Sequence, residues 1–145
     1  MVTRKMTSHI PDFPLLTGAN RQWLDARAQA LDAGNGEATA AVVPYLAEAG
    51  LLGHGLADAL GGQGASAGDA IEAIAQVAAH SMSAAFAFWG QRVLIEMLAN
   101  TGNAALRERW LPALLAGEAA GASGLSNIMK FLSGLEALNI RATAR

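Results

Sequence analysis

The sequence has no cysteine, which rules out disulfides, thiolate metal sites and cysteine nucleophiles. Charge is also scarce: 15% of the 145 residues are Asp, Glu, Lys or Arg, and the net charge is −2. The Lys and Arg residues form no cluster, so nothing recommends a nucleic-acid partner. Prolines number only 4, at Pro11, Pro14, Pro44 and Pro112, which leaves long stretches free to coil into helix. The uncharged stretch from Ala73 to Gln91 is broken by Gln76, His80, Ser81 and Ser83 and diluted by alanine and Gly90. It reads as a buried helix and not as a membrane span. The opening MVTRKMTSHIPDFP carries basic residues with no apolar run behind them. It does not read as a secretory signal, and a cytoplasmic location is expected.

What the chain has in abundance is alanine, 33 residues of it, within a composition that is 52% hydrophobic. Alanine favours helix and close helix packing, and so apolar a surface suggests contact with another chain or domain. Residues 1–16 read as an irregular arm. A first helix is expected after Thr17–Asn20, with Asn20 as its cap, and Leu24, Ala28 and Leu31 at helical spacing. A second, from about Glu37 to Ala49, should bury Val42, Val43 and Leu46, kink or restart at Pro44, and end at a left-handed Gly50. Ser66 and Asp69 have capping-box spacing before a third helix with Ile71, Ile74 and Val77 on one face. In a fourth, from about Met82 to Ala99, Phe86, Trp89, Val93 and Met97 form one stripe. Phe88, Ile95 and Leu98 form another, so neighbours are expected on both sides. A fifth covers about Asn103 to Trp110, with Pro112 breaking or restarting it.

After Gly117 the helical period stops. Gly121 to Ser126 reads as an extended segment and Leu138 to Ala144 as a second strand. Two strands make no stable sheet alone, so the chain is expected to stop just inside another domain. The fold class read from the residues is therefore mainly α. An antiparallel helical domain of about five helices, 17–117, is followed by the first one or two strands of an incomplete β domain, 118–145.

The chemical motifs are sparse. Gly53-His54-Gly55 lacks the third glycine of a dinucleotide fingerprint, because Asp58 stands there, and Gly61-Gly62-Gln63-Gly64 lacks the Lys-Ser/Thr of a phosphate loop. Both read as turns. His9, His54 and His80 have no metal-pair spacing, and His80 reads as a capping or structural residue. Gly121-Ala122-Ser123-Gly124-Leu125 misses the nucleophile elbow at its last position. Glu72 and Glu96 read as solvated helix residues. Trp23, Trp89, Trp110, Phe86 and Phe88 could line a ligand channel, although aromatics at helical spacing are more often core. The residues alone name no activity.

Three segments, in order, carry a family resemblance: Val43-Pro44-Tyr45-Leu46-Ala47-Glu48-Ala49-Gly50-Leu51-Leu52-Gly53, then Ala59-Leu60-Gly61-Gly62-Gln63-Gly64, then Arg109-Trp110-Leu111-Pro112-Ala113-Leu114-Leu115-Ala116-Gly117-Glu118. Over about residues 37–145 the chain resembles the acyl-CoA dehydrogenase family. The resemblance implies an FAD-dependent oxidoreductase in fatty acid metabolism that dehydrogenates an acyl-CoA thioester at α and β. The hydride would pass to flavin N5, and a carboxylate base from a later portion would take the α proton. It also implies an electron-accepting flavoprotein partner and a homo-oligomer for the full-length protein. The chain would be the amino-terminal portion, inactive alone. Leu125 and Ser126 match an aliphatic–Thr step whose backbone and hydroxyl face the flavin, with Ser123 beside the isoalloxazine. Ser133 stands where a substrate contact would fall. Asn127-Ile128 and Met129-Lys130-Phe131-Leu132 depart from the family pattern. Two other readings stay open: a flavin-dependent monooxygenase of the same fold, and a non-catalytic helical interaction module.

Overall fold

A computed structural model describes residues 15–64 and 66–139 of the protein. Among these residues there are six α-helices and no strand: α1 Gly18–Asp32, α2 Gly36–Glu48, α3 Ala67–Ala78, α4 Met82–Ala99, α5 Ala104–Leu115 and α6 Leu125–Leu132. Residues 1–14 of the irregular arm and most of the strand expected at 138–144 lie outside the described residues.

Local chemistry accounts for the helix boundaries. Thr17, and not Asn20, caps α1: the Asn20 amide donates to Thr17 Oγ1, and Thr17 N–H returns a bond to Asn20 Oδ1 at 2.9 Å. Asn20 is thus the far half of a capping box. The expected box at Ser66 and Asp69 opens α3. Its hydrogen bonds to Ser66 hold the Asp69 carboxyl below its usual range. Gly50 adopts φ 72° after α2, the left-handed residue anticipated there, and a short 3₁₀ turn over Leu51–Gly53 follows. Pro44 and Pro112 do not interrupt α2 and α5, which run unbroken through both. Each removes one backbone donor, and the remaining bonds and tertiary packing carry the helix past it.

Helix α4 is the centre of the domain, packing against α1, α2, α3 and α5. Phe88 and Ile95 are fully buried on it, and Leu98 is nearly so. They meet Leu24 of α1, Val42 and Leu46 of α2, Ala73 and Val77 of α3, and Leu111 and Leu114 of α5 in one core cluster. The buried face of α3 is Ala70, Ala73 and Val77, while Ile71 is exposed. Small residues let α3 approach α4 closely, which displaces the expected Ile71–Ile74–Val77 face. The Phe86–Trp89–Val93–Met97 stripe of α4 does not acquire the neighbour expected for it within this domain: Phe86 and Met97 stay 71% and 61% exposed.

Specific polar ties reinforce the helix packing. Asn20 Nδ2 donates to the Tyr45 hydroxyl at 2.9 Å, and the Tyr45 ring stacks on Trp23 with centroids 3.8 Å apart. His80 Nδ1 lies 2.7 Å from Asp25 Oδ1, tying the end of α3 to α1, a structural role. Buried Arg92 donates from Nη1 to Leu52 O at 2.8 Å, binding α4 to the 3₁₀ turn. Burial lowers its pKa, opposed by Glu96.

The segment after Gly117 departs most from expectation. Gly121 to Ser126 is not a strand: residues 120–123 have no regular structure, and Leu125 opens α6. Leu125, Ile128, Met129 and Leu132 recur at i, i+3, i+4 and i+7, the period of an amphipathic helix. With no strand beside it among the described residues, the segment satisfies its backbone by coiling. Gly134 at φ 71° ends the helix, with Leu135 N–H bonded to Lys130 O, a Schellman closure.

Candidate functional site

The chain leaves α5 and crosses α4 as a short strap over residues 119–123. The crossing point is built from Gly90, Gln91 and Gly121. Gln91 is fully buried. Its Nε2 donates to Leu114 O and Ala119 O, each at 2.9 Å, and its Oε1 accepts from the Gly121 N–H at 2.6 Å. One side chain thus supplies the backbone partners a neighbouring strand would have supplied. Gly121 packs closely on α4: a Cβ there would stand 2.3 Å from Leu94 Cδ2, so any side chain would require Leu94 to move.

Beyond the crossing, α6 and the outer stripe of α4 enclose a cleft of about 430 Å³. Phe86, Trp89 and Gly90 form the α4 wall; Ala122, Ser123, Leu125, Ser126 and Met129 form the other. The Phe86 and Trp89 rings lie 5.6 Å apart, tilted by 34°. The lining is apolar except for the two serines. No side chain among the described residues hydrogen-bonds either hydroxyl. Gly124 gives α6 no side-chain cap, and the first intrahelical donor is Ile128 N–H to Gly124 O. The N–H groups of Leu125, Ser126 and Asn127 therefore have no partner within the helix.

Three of the four residues singled out in the sequence, Ser123, Leu125 and Ser126, meet in this cleft, on a turn and a helix start instead of a strand. Ser133 does not line it; its hydroxyl donates to Met129 O at 2.9 Å at the far end of α6. Of the aromatics, Phe86 and Trp89 line the cleft, Phe88 is core, Trp23 stacks on Tyr45, and Trp110 faces a separate groove with Leu94, Leu98 and Leu106. Gln91 escaped the sequence reading because a lone glutamine in an apolar helix has no pattern. Its flanking Gly90 was the available clue.

A larger groove of about 560 Å³ lies on another face, between the glycine turn at Ala59–Gly61 and α5, with Arg107 and Glu108 at its edge. The glycine turn beneath it is closed by its own backbone, Gly55 N–H to Gly64 O and Gly64 N–H to Leu56 O. It gathers none of the residues singled out in the sequence as site candidates.

A family model, acyl-CoA dehydrogenase N-terminal domain, matches residues 19–118. That span takes in α1 to α5, and the chain belongs to the acyl-CoA dehydrogenase family. The match begins earlier than the resemblance over about residues 37–145, and it ends before the strap and α6, so Ser123, Leu125, Ser126 and Ser133 all lie outside it. No curated protein and no solved structure matches the chain.

The family is generally flavin-dependent, and the cleft can be tested against that group. An extended wall for the isoalloxazine is not built by the described residues. An apolar cleft is present with two serine hydroxyls that bond no described side chain and with first-turn N–H groups of α6, and it suits a ring with acceptors on one edge. No Lys or Arg lines the cleft, so nothing there would neutralise a diphosphate. The residues fit the ring end of FAD and not its diphosphate.

Proposed function

We propose that the chain is the helical, acyl-binding part of an FAD-dependent acyl-CoA dehydrogenase-type oxidoreductase, and that the α4–α6 cleft receives the acyl chain of the thioester. The observation that carries this reading is the apolar cleft joining Phe86 and Trp89 to Ser123, Leu125 and Ser126. Each methylene buried between those rings and Met129 would contribute about 0.8 kcal/mol, which suits a saturated chain. FAD, when bound, supplies the hydride acceptor at N5. From this chain, the Ser126 hydroxyl and the N–H groups of Leu125 and Ser126 would donate to the ring edge, with Ser123 beside them, where they favour added negative charge. No carboxylate lines the cleft, and the proton-abstracting base is assigned to no residue here. The chain by itself is inactive and holds flavin weakly.

Titration of the purified chain with a saturated acyl-CoA tests the reading. Trp89 fluorescence should change with saturation, the change should vanish in Trp89→Phe, and free CoA should be a poor competitor. Equal binding of CoA and acyl-CoA would refute an acyl site. Yellow protein that keeps its flavin through dialysis would refute weak flavin binding.

The exposed apolar face of α6 favours a second reading, a helical interaction module. Leu132 at the end of α6 and Leu135 just beyond it are 73% and 76% exposed, and neighbouring exposed apolar side chains mark interaction surfaces. A concentration-dependent rise in mass, abolished by Leu132→Lys, would favour that reading over the first.

A further inference from the structure

The segment 124–139 is nearly self-contained. Asn127 Nδ2 donates to Ala137 O at 3.1 Å, Asn139 N–H donates to Asn127 Oδ1 at 3.0 Å, and Lys130 pairs with Glu136 at 3.1 Å. That pairing holds the Glu136 carboxyl below its usual range. None of the residues of α6 is buried, and the side-chain hydrogen bonds of this segment stay within it. The described polar ties of the strap to the helical domain lie one step upstream: Ala119 N–H donates to Ala113 O at 3.2 Å, and the Gln91 amide joins Leu114 O of α5 to Ala119 O and the Gly121 N–H. A buried side chain that donates twice and accepts once has a single satisfied orientation, so it fixes the strap's position and direction together.

We infer that Gln91 is the positioning residue of the cleft: its amide clamps the 119–121 strap and so holds the first turn of α6 against Phe86 and Trp89. The inference concerns the geometry of the site, and only its ligand-binding arm rests on the function proposed above. Gly121 completes the clamp. The crossing brings Gly121 O to 3.8 Å from where a Gly90 Cβ would stand, and Gly121 sits against Leu94 and Leu114.

Hydrogen exchange on the full chain, wild type against Gln91→Met, decides the matter. Methionine keeps the volume and removes every hydrogen bond of the clamp. Exchange at Gly121 and across α6 should accelerate roughly tenfold or more, while α3 and α4 keep their protection. Acyl-CoA affinity should fall by about tenfold. Acceleration shared equally by all helices would reduce Gln91 to a core residue and overturn the inference. So would unchanged exchange at Gly121 and α6. Selective acceleration in a chain that binds no acyl-CoA would uphold the clamp and sink the proposed function instead. If Gln91→Met does not fold, native-state exchange of the wild type serves: the Gly121 N–H, bonded to Gln91 Oε1, should be protected as strongly as the amides of α4, and exchange at the rate of an open loop would overturn the inference.

Discussion

Helices α4 and α6 both carry apolar stripes at helical spacing, yet they stand in opposite situations. The inner stripe of α4 is covered on every side by α1, α2, α3 and α5, and its buried polar residues are tied to backbone carbonyls. The apolar residues of α6 and the outer stripe of α4 meet only at the cleft and remain half open. The first arrangement is determined by its own sequence. The second is completed by whatever occupies or covers the cleft. On the proposed function, stability resides in one region and binding in the other, and perturbations should separate along that line.

The largest effect is expected in the covered region. Phe88→Ala should cost about 3–5 kcal/mol in urea unfolding, since the ring is fully buried and its neighbours are fixed by helix packing. A cost below about 1 kcal/mol would mean that the core is looser than described. Gly90→Leu should do the reverse, leaving the midpoint near wild type and weakening acyl-CoA binding by roughly tenfold or more. A Cβ at that position meets only Gly121 O, at 3.8 Å, so the added side chain extends into the cleft. Asn20→Ala should cost about 1 kcal/mol through the α1 cap and the Tyr45 bond.

Smaller effects sharpen the same contrast. Burial lowers the His54 pKa from 6.5, with Asp69 opposing and Arg92 reinforcing the shift. As pH falls through 6.5, the unfolded chain takes up the His54 proton before the folded chain does, so stability should decline on acidification and level off above it. His54→Gln should flatten that slope in pH-dependent denaturation. Leu132→Lys, on the open side of α6, should leave monomer stability within about 0.5 kcal/mol.

The helical domain was largely legible in the sequence because each boundary rests on short-range chemistry. The Ser66–Asp69 box, the left-handed Gly50 and the Phe88–Ile95–Leu98 stripe all need only a few neighbouring residues to be recognised. Pro44 and Pro112 misled, because packing outweighs one missing donor in each helix. The strap and α6 were misread for a different reason. The Gly121–Ser126 window carries no helical period by itself, whereas Leu125 starts one that becomes visible only through Leu132. Ser123, Leu125 and Ser126 were singled out by resemblance as site candidates. Their gathering against Phe86 and Trp89 depends on Gln91, a long-range contact that no local pattern announces.

An acyl-CoA carrying a photoreactive diazirine at the end of its chain would test the central claim most directly. Labelling should fall on Phe86, Trp89 or Met129 and be suppressed by Gly90→Leu. Labelling confined to Leu111 and Leu115, in the groove beside the glycine turn, would place the acyl site elsewhere and contradict the account.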